Sequence, residues 1–177
     1  MATCGTQTAG FGAGGYQGAN HPESPPSNTA KCEQYNGTSW TEVADLNTAK
    51  SSCGHFGTQT ASIAVRGAGN NTESWNGSSW TNLPASVVVF DGGNHGGGTQ
   101  TAGVVYGPRT YNATELWDGT TWATSAKYST SRGGNNAGDS TSGLLVGGYT
   151  GSANTNATEE FTGASTGSAT VKSIDFD

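Results

Sequence analysis

An all-β protein of about four repeated units, each built from four short strands, is what this sequence predicts, on three observations. The first is a phrase, Glu-x-aromatic-(Asn/Asp)-Gly-x-x-Trp, found at residues 33–40, 73–80 and 115–122, with a worn copy at 159–163 that lacks the closing Trp. Its glutamates, Glu33, Glu73, Glu115 and Glu159, step by 40, 42 and 44 residues. The second is a shorter phrase, Gly-Thr-Gln-Thr-Ala, beginning at Gly5, Gly57 and Gly98 and altered at Gly138. Two phrases alternating every 40 residues or so match the length of one four-stranded propeller blade. The third is that no apolar period of 3.6 residues is sustained anywhere, so helices are not expected. The 177 residues read as one β-propeller domain, with repeats at about 1–44, 45–84, 85–126 and 127–177.

The second repeat shows how each blade is read. Lys50 to Phe56 is the first strand and Thr60 to Val65 the second, joined by a turn at Gly57-Thr58. Thr72 to Trp75 is the third and Ser79 to Asn82 the fourth, joined by Asn76-Gly77. Asn-Gly signals a two-residue hairpin, because a type I′ turn needs positive φ at both central residues. Glu73 and Trp75 are two apart and therefore share one face of the third strand. The same spacing holds for Glu33 and Tyr35, Glu115 and Trp117, and Glu159 and Phe161. The closing tryptophans Trp40, Trp80 and Trp122 are expected at equivalent positions. Recurrence beside a packed aromatic points to a structural role for the glutamates, accepting backbone N–H groups or pairing with a base such as Lys50 or Arg132.

Composition narrows the function classes. Hydrophobic residues make up 32% and glycines number 29, which alone would suit a disordered chain, but all five Trp fall inside the repeat motif. The formal net charge is −6, and the seven basic residues are scattered. Counterion release from phosphates needs clustered Lys or Arg, so no nucleic-acid partner is expected. No apolar run approaches the ~20 residues of a membrane-spanning helix, so no membrane insertion is expected. The start shows no basic n-region or apolar h-region, so no signal peptide is expected. Three cysteines, Cys4, Cys32 and Cys53, have neither C-x-x-C nor metal-like spacing and read as small buried apolar residues. A Cys4–Cys53 or Cys32–Cys53 bridge stays open.

The strand order and residue types resemble the kelch repeat of β-propellers. That family shows a glycine pair closing the second strand, then Glu-x-Tyr-Asp on the third and Trp on the fourth. Here Gly14-Gly15-Tyr16 and Gly147-Gly148-Tyr149 supply the pair, whereas Arg66-Gly67-Ala68 and Tyr106-Gly107-Pro108 keep one glycine each. The wording Gly-Thr-Gln-Thr-Ala and Asn-Gly-Ser-Ser-Trp also resembles repeats of virion-associated proteins in marine and cyanobacterial phages. That resemblance implies a virion or extracellular location and a structural or adhesive role. Some kelch-like enzymes hold copper with Tyr and His, but no matching motif is present here, so no cofactor and no catalytic residue is expected.

The ring is expected to close in one of two ways. The alternating tail Val171 to Phe176 suits one more strand, completing the fourth blade or pairing beside the first; otherwise a second chain pools its blades as a homo-oligomer, or the chain is part of a longer polypeptide. The turns at Gly57-Thr58 and Asn76-Gly77 are short and nearly constant, whereas the connections at the other end vary. Variable loops on a rigid scaffold are the better place for binding. The candidate ligand-binding residues are His21, Glu23, Tyr111, Asn112, Tyr149 and Asn154, contacting a host-surface glycan or other virion proteins. His55, His95, Asn94, Asn135 and Asn136 are expected to line the central channel as a polar cluster rather than a metal site. Gly10 to Gly15 satisfies G-x-G-x-x-G, but no helix follows to receive a phosphate. Five sequons, at Asn36, Asn70, Asn76, Asn112 and Asn156, have a competing explanation at Asn36 and Asn76, where the turn requires Asn. Circular dichroism of the purified protein should show strand and turn signals without helix; a substantial helical minimum would contradict the blade reading.

Overall fold

The computed structural model describes residues 1–18, 27–88, 95–107 and 110–163, together with the backbone of 170–174. It forms a four-bladed β-propeller of four separate antiparallel sheets, each with its strands in chain order. The first sheet holds β1 (Ala2–Thr6), β2 (Ala9–Gln17), β3 (Ser27–Tyr35) and β4 (Trp40–Val43). The second holds β5 (Gly54–Gly57), β6 (Ser62–Val65), β7 (Thr72–Trp75) and β8 (Trp80–Leu83). The third holds β9 (His95–Thr99), β10 (Ala102–Tyr106), β11 (Thr114–Trp117) and β12 (Trp122–Ser125). The fourth holds β13 (Gly133–Gly138), β14 (Ser142–Tyr149), β15 (Asn154–Thr162) and β16 (Thr170–Ile174). The tail strand β16 thus pairs with β15 and completes the fourth blade, not the first. The first strand of the second blade starts at Gly54 rather than Lys50, because Lys50 belongs to the linker that docks on the first blade. The G-x-G-x-x-G stretch lies inside β2.

The register explains the repeated phrases. Tyr35 pairs across to Gly10 and Trp40, Trp75 to Ser62 and Trp80, and Trp117 to Gly103 and Trp122. Phe161 pairs to Gly143 and Val171 in the same row. Two residues along, on the same face, stand Glu33, Glu73, Glu115 and Glu159. This face meets the preceding blade. The opposite face, carried on the second strands by Phe11 and Ala13, Ile63 and Val65, and Val104 and Tyr106, meets the following blade. Three clusters result: Phe11, Ala13 and Leu46 with Trp75 and Trp80; Phe56, Ile63 and Val65 with Trp117 and Trp122; and Val104, Tyr106 and Tyr128 with Leu145 and Phe161. Gly103 is required at the second of these junctions, since a Cβ there would run into the Phe56 ring.

The glutamine of the second phrase staples the junctions. Gln59 donates from Nε2 to the carbonyls of Tyr35 at 2.7 Å and Gly10 at 3.2 Å, both on the preceding blade. Its own carbonyl accepts the Trp75 indole N–H at 3.1 Å. Gln100 repeats the arrangement, with the Trp75 carbonyl at 2.6 Å and the Trp117 indole at 2.8 Å.

The Asn-Gly turn departs from the sequence expectation. It is a four-residue loop, in which Asn76 keeps negative φ and only Gly77, at φ 97°, is left-handed. Asn76 Oδ1 accepts the N–H groups of Ser78 and Ser79, each at 3.0 Å, and this side-chain turn replaces the type I′ backbone turn. Asp118 does the same for Thr120 and Thr121, each at 2.8 Å.

Glu73, Glu115 and Glu159 are buried and bonded. Glu73 accepts the N–H of Asn47 at 2.7 Å and lies 3.0 Å from Lys50 Nζ. Glu159 accepts Ser129 N–H at 2.7 Å and Arg132 Nη1 at 2.5 Å. Glu115 accepts Val88 N–H at 2.8 Å and pairs with Arg66. Glu33 differs: it is half-buried and has no hydrogen bond or ion pair among the described residues. Trp40 likewise holds the register position of Trp80 and Trp122 but is 50% exposed where they are each 7%. Both differences have one cause, since no described residue of another blade joins a core cluster on that face of the first blade. Trp80→Ala should therefore destabilise the protein by about 3–5 kcal/mol, the penalty for emptying a large aromatic site. A shift below about 1 kcal/mol in denaturant unfolding would show that the junction is not what holds the blades together.

Candidate functional site

A four-strand meander puts its first and third turns at one end and its second connection and blade linker at the other. The first end repeats a small set of turns. Gln59 and Gln100 share the staple described above, and Asn36, Asn76, Asp118 and Asp139 share the side-chain turn, whereas Gln7 is exposed. The other end carries the connections that differ in length from blade to blade. His21 and Glu23 fall in the first of these and lie outside the described residues, as does Asn94.

At the remaining connections the structure places tyrosines on the rim. Tyr16 is the penultimate residue of β2, Tyr111 precedes β11 and Tyr149 ends β14, and they are 63%, 58% and 41% exposed. Tyr149 OH donates to the Gly151 carbonyl at 2.9 Å, which holds its ring over the short turn from Thr150 to Ala153. Asn154 is exposed and pairs in register with Tyr149, so the two form one surface on the fourth blade. Asn112 does something else. Its amide donates to the Tyr128 carbonyl at 2.6 Å, fastening the linker to its own blade, as Asn70 does with the Ser86 carbonyl at 2.9 Å. Asn112 is a scaffold residue beside an exposed Tyr111.

Where the innermost strands converge, the same end opens into a cavity of 580 Å³. Ser52, Cys53, His55, His95, Asn135 and Asn136 line it, so the polar cluster read from the sequence is assembled, apart from Asn94. His55 Nδ1 and Asn136 Nδ2 are buried with no hydrogen-bond partner among the described residues. A buried polar atom left unpaired costs about 1–3 kcal/mol, so these two are the wall's strongest points for a water or a ligand hydroxyl. No cluster of three His, Cys, Asp or Glu able to hold a metal ion occurs among the described residues.

Sequence reasoning missed one pair. Cys4 on β1 lies 3.6 Å from His55 Nε2 on β5, and that nitrogen also meets Ser62 Oγ at 3.1 Å. Cys–His proximity is a common basis for a nucleophile, which needs a depressed thiol pKa beside a protonated imidazole. The electrostatics here run the other way. Burial pushes the Cys4 thiol up to about 12, against a weaker opposing hydrogen bond from Ser62. Burial pulls the His55 imidazole down to about 4. Both groups are neutral near neutrality, and the contact serves packing between the first two blades. Cys32, pushed up to about 11 by burial, and Cys53, also raised by burial, are free thiols like Cys4, so neither bridge left open by the sequence is formed. A sequence signal existed in the register: Cys4 and His55 fall on neighbouring first strands, one residue apart in blade position.

The fold defines the class: a β-propeller, with a polar cavity at the end of its blades that carries the connections of differing length. No protein family and no curated protein matches the chain. Among solved structures it is similar to the structure of YjhT, with a TM-score of 0.67 at 14% identity over 82% of this chain. The match takes 52% of the YjhT chain, so this chain spans about half the length of that protein. Likeness at this level shows the fold alone.

The His55 environment sets a pH dependence. Folded, the imidazole resists protonation down to about pH 4, whereas the unfolded side chain protonates near about 6.5. The unfolded chain therefore takes up its proton first as pH falls, and stability present above about 6.5 is lost progressively toward 4. Thermal unfolding should show Tm falling from about pH 7 to about pH 5, with a shallower fall in His55→Gln. Parallel slopes in the two proteins would contradict it.

Proposed function

We propose that this chain is a non-catalytic structural or adhesive protein of a phage particle, or of a similar extracellular assembly, and that its variable face binds a host-surface glycan or neighbouring virion proteins. The observation that carries this reading is the difference between the two ends of the blades. One end carries a small set of recurring turns, and the other carries exposed Tyr16, Tyr111 and Tyr149 on its connections and a polar cavity where the first strands converge. Tyrosine offers a flat apolar ring for a sugar face and a hydroxyl for hydrogen bonding. The cavity wall contributes neutral amides, imidazoles and a serine hydroxyl, which suit a polyhydroxy ligand better than a highly charged one.

Three further points support it. The repeats read as kelch-type blades with phage-like wording. His55 meets both Cys4 and Ser62 inside the junction of the first two blades, and burial holds the thiol and the imidazole neutral. The charges on the blade cores are consumed in Lys50–Glu73, Arg66–Glu115 and Arg132–Glu159, whose carboxylates anchor linkers rather than face solvent.

A glycan array probed with the intact protein should show binding to a restricted set of sugars. Tyr111→Ala and Tyr149→Ala should each weaken that binding about tenfold or more, since each removes an exposed aromatic platform without touching a core cluster. Binding unchanged by both substitutions, and by shortening the 150–153 turn, would remove the variable face from consideration.

A further inference from the structure

Each junction between blades is made from two complementary halves. At the first two junctions the later blade supplies its aromatic pair, the glutamate beside it and the glutamine of its first turn, whereas at the third Phe161 stands without a Trp partner and Ser140 replaces the glutamine. The earlier blade supplies two side chains of its second strand and two carbonyl oxygens. At the second junction Ile63 and Val65, both 0% exposed, pack with Trp117 and Trp122, while the Ser62 and Trp75 carbonyls accept Gln100.

Both halves also exist once more, uncovered. The first blade presents the later-blade half: Gln7 is exposed, Glu33 and Tyr35 are half-buried, and Trp40 stands in solvent. The Tyr35 and Trp40 rings are already 5.2 Å apart at 36°, close to the 5.2 Å and 41° of Trp117 with Trp122. The fourth blade presents the earlier-blade half. Leu144 is half-buried and Val146 is 42% exposed, and they hold the register positions of Ile63 and Val65. Gly143 and Phe161 stand where Gly10 with Tyr35, and Ser62 with Trp75, offer their carbonyls. Innermost strands run side by side from β1 to β5, β5 to β9 and β9 to β13. Among the described residues no core cluster, hydrogen bond or ring contact joins the fourth sheet to the first.

We propose that the first-blade flank of one copy takes the fourth-blade flank of a second copy of this chain, joining copies head to tail as blades are joined within one. The occupant follows from the junction chemistry, because the aliphatic pair Ile63 and Val65 packs on the Trp117/Trp122 face, and its counterpart Leu144 and Val146 lies uncovered at the other end of this chain. Two copies joined at both flanks form a ring of eight blades about a twofold axis, within the usual range of about four to eight.

Size-exclusion chromatography with light scattering on the full chain tests this. The wild type should associate into a dimer or a longer head-to-tail assembly as concentration rises. Trp40→Asp or Val146→Asp alone should weaken association about a hundredfold or more, since either places an unpaired charge in the junction. Both positions are open in a single copy, so the dilute monomers should keep the wild-type Tm, which excludes misfolding as the cause. Mixing the two variants should restore a dimer, because one of its two junctions then has both native halves. A wild type that is monomeric at every concentration would overturn the proposal, the flanks then being covered from within the chain or by a further blade of a longer polypeptide. Association that survives both substitutions, or variants that fail to complement, would overturn it equally.

Discussion

The contact on which the rest of this structure depends is the one between an aromatic row and the second-strand row of the blade before it. Phe11 of the first blade lies 5.3 Å from Trp75 and 5.7 Å from Trp80 of the second, stacked on both. Each such ring buries about 150–250 Å², worth about 4–6 kcal/mol at ~25 cal/mol per Å² before entropy is counted. That is how a chain with 32% hydrophobic residues sustains an ordered fold. Its apolar side chains are few, but they are concentrated where two sheets meet rather than spread along each strand. The stability is correspondingly local. A blade owes its packing to its immediate neighbours, and the outer face of an end blade gains nothing from blades further round.

Polar groups then fix how neighbouring blades are set. The buried glutamates accept linker N–H groups, so each linker is tied to the blade it enters and not left to wander across the face. Their bases come from different places. Lys50 and Arg132 precede the first strand of their own blade, but Glu115 takes Arg66 from the blade before it. Arg66 occupies the position of Gly14 and Gly147 and adopts their left-handed backbone, at φ 64°. A buried ion pair of this kind adds little net stability, since desolvation consumes most of the attraction. What it does is couple two blades through one side chain, at a position where the first and fourth blades carry a bulge glycine.

Repetition made most of the fold legible. The 40-residue step gave blade number, the period-2 spacing of Glu73 and Trp75 gave the shared face, and Lys50 and Arg132 were recognisable as partners because they precede comparable strands. The misses share a physical origin in contacts between repeats, which no single repeat contains. Trp40 and Trp80 are the same letter in the same frame, and only the presence of a preceding blade makes one buried and the other not. Arg66 looked like a lost glycine because its partner lies 49 residues away. The Asn-Gly loop was misread for a local reason: the Asn side chain captures two backbone N–H groups, and that alternative to a type I′ turn carries the same dipeptide. Of the candidate site, the channel cluster followed from strand order, whereas Asn112 was legible as a loop residue but not as a linker anchor.

That loop has a consequence for how the molecule ages. Asn followed by Gly is the pair most prone to lose its side-chain amide to water, and the end with the recurring turns carries it at Asn36 and Asn76. The third blade shows what the aspartate outcome would look like. Asp118 closes the same loop through the same carboxyl oxygen, and hydrogen bonds from Thr120 and Thr121 hold its acidity well above that of a free carboxylate. Conversion to aspartate at Asn36 or Asn76 would add charge to the surface and keep both backbone bonds. The loop thus tolerates a carboxylate where it carries a carboxamide, because one oxygen accepts both backbone N–H groups in either form.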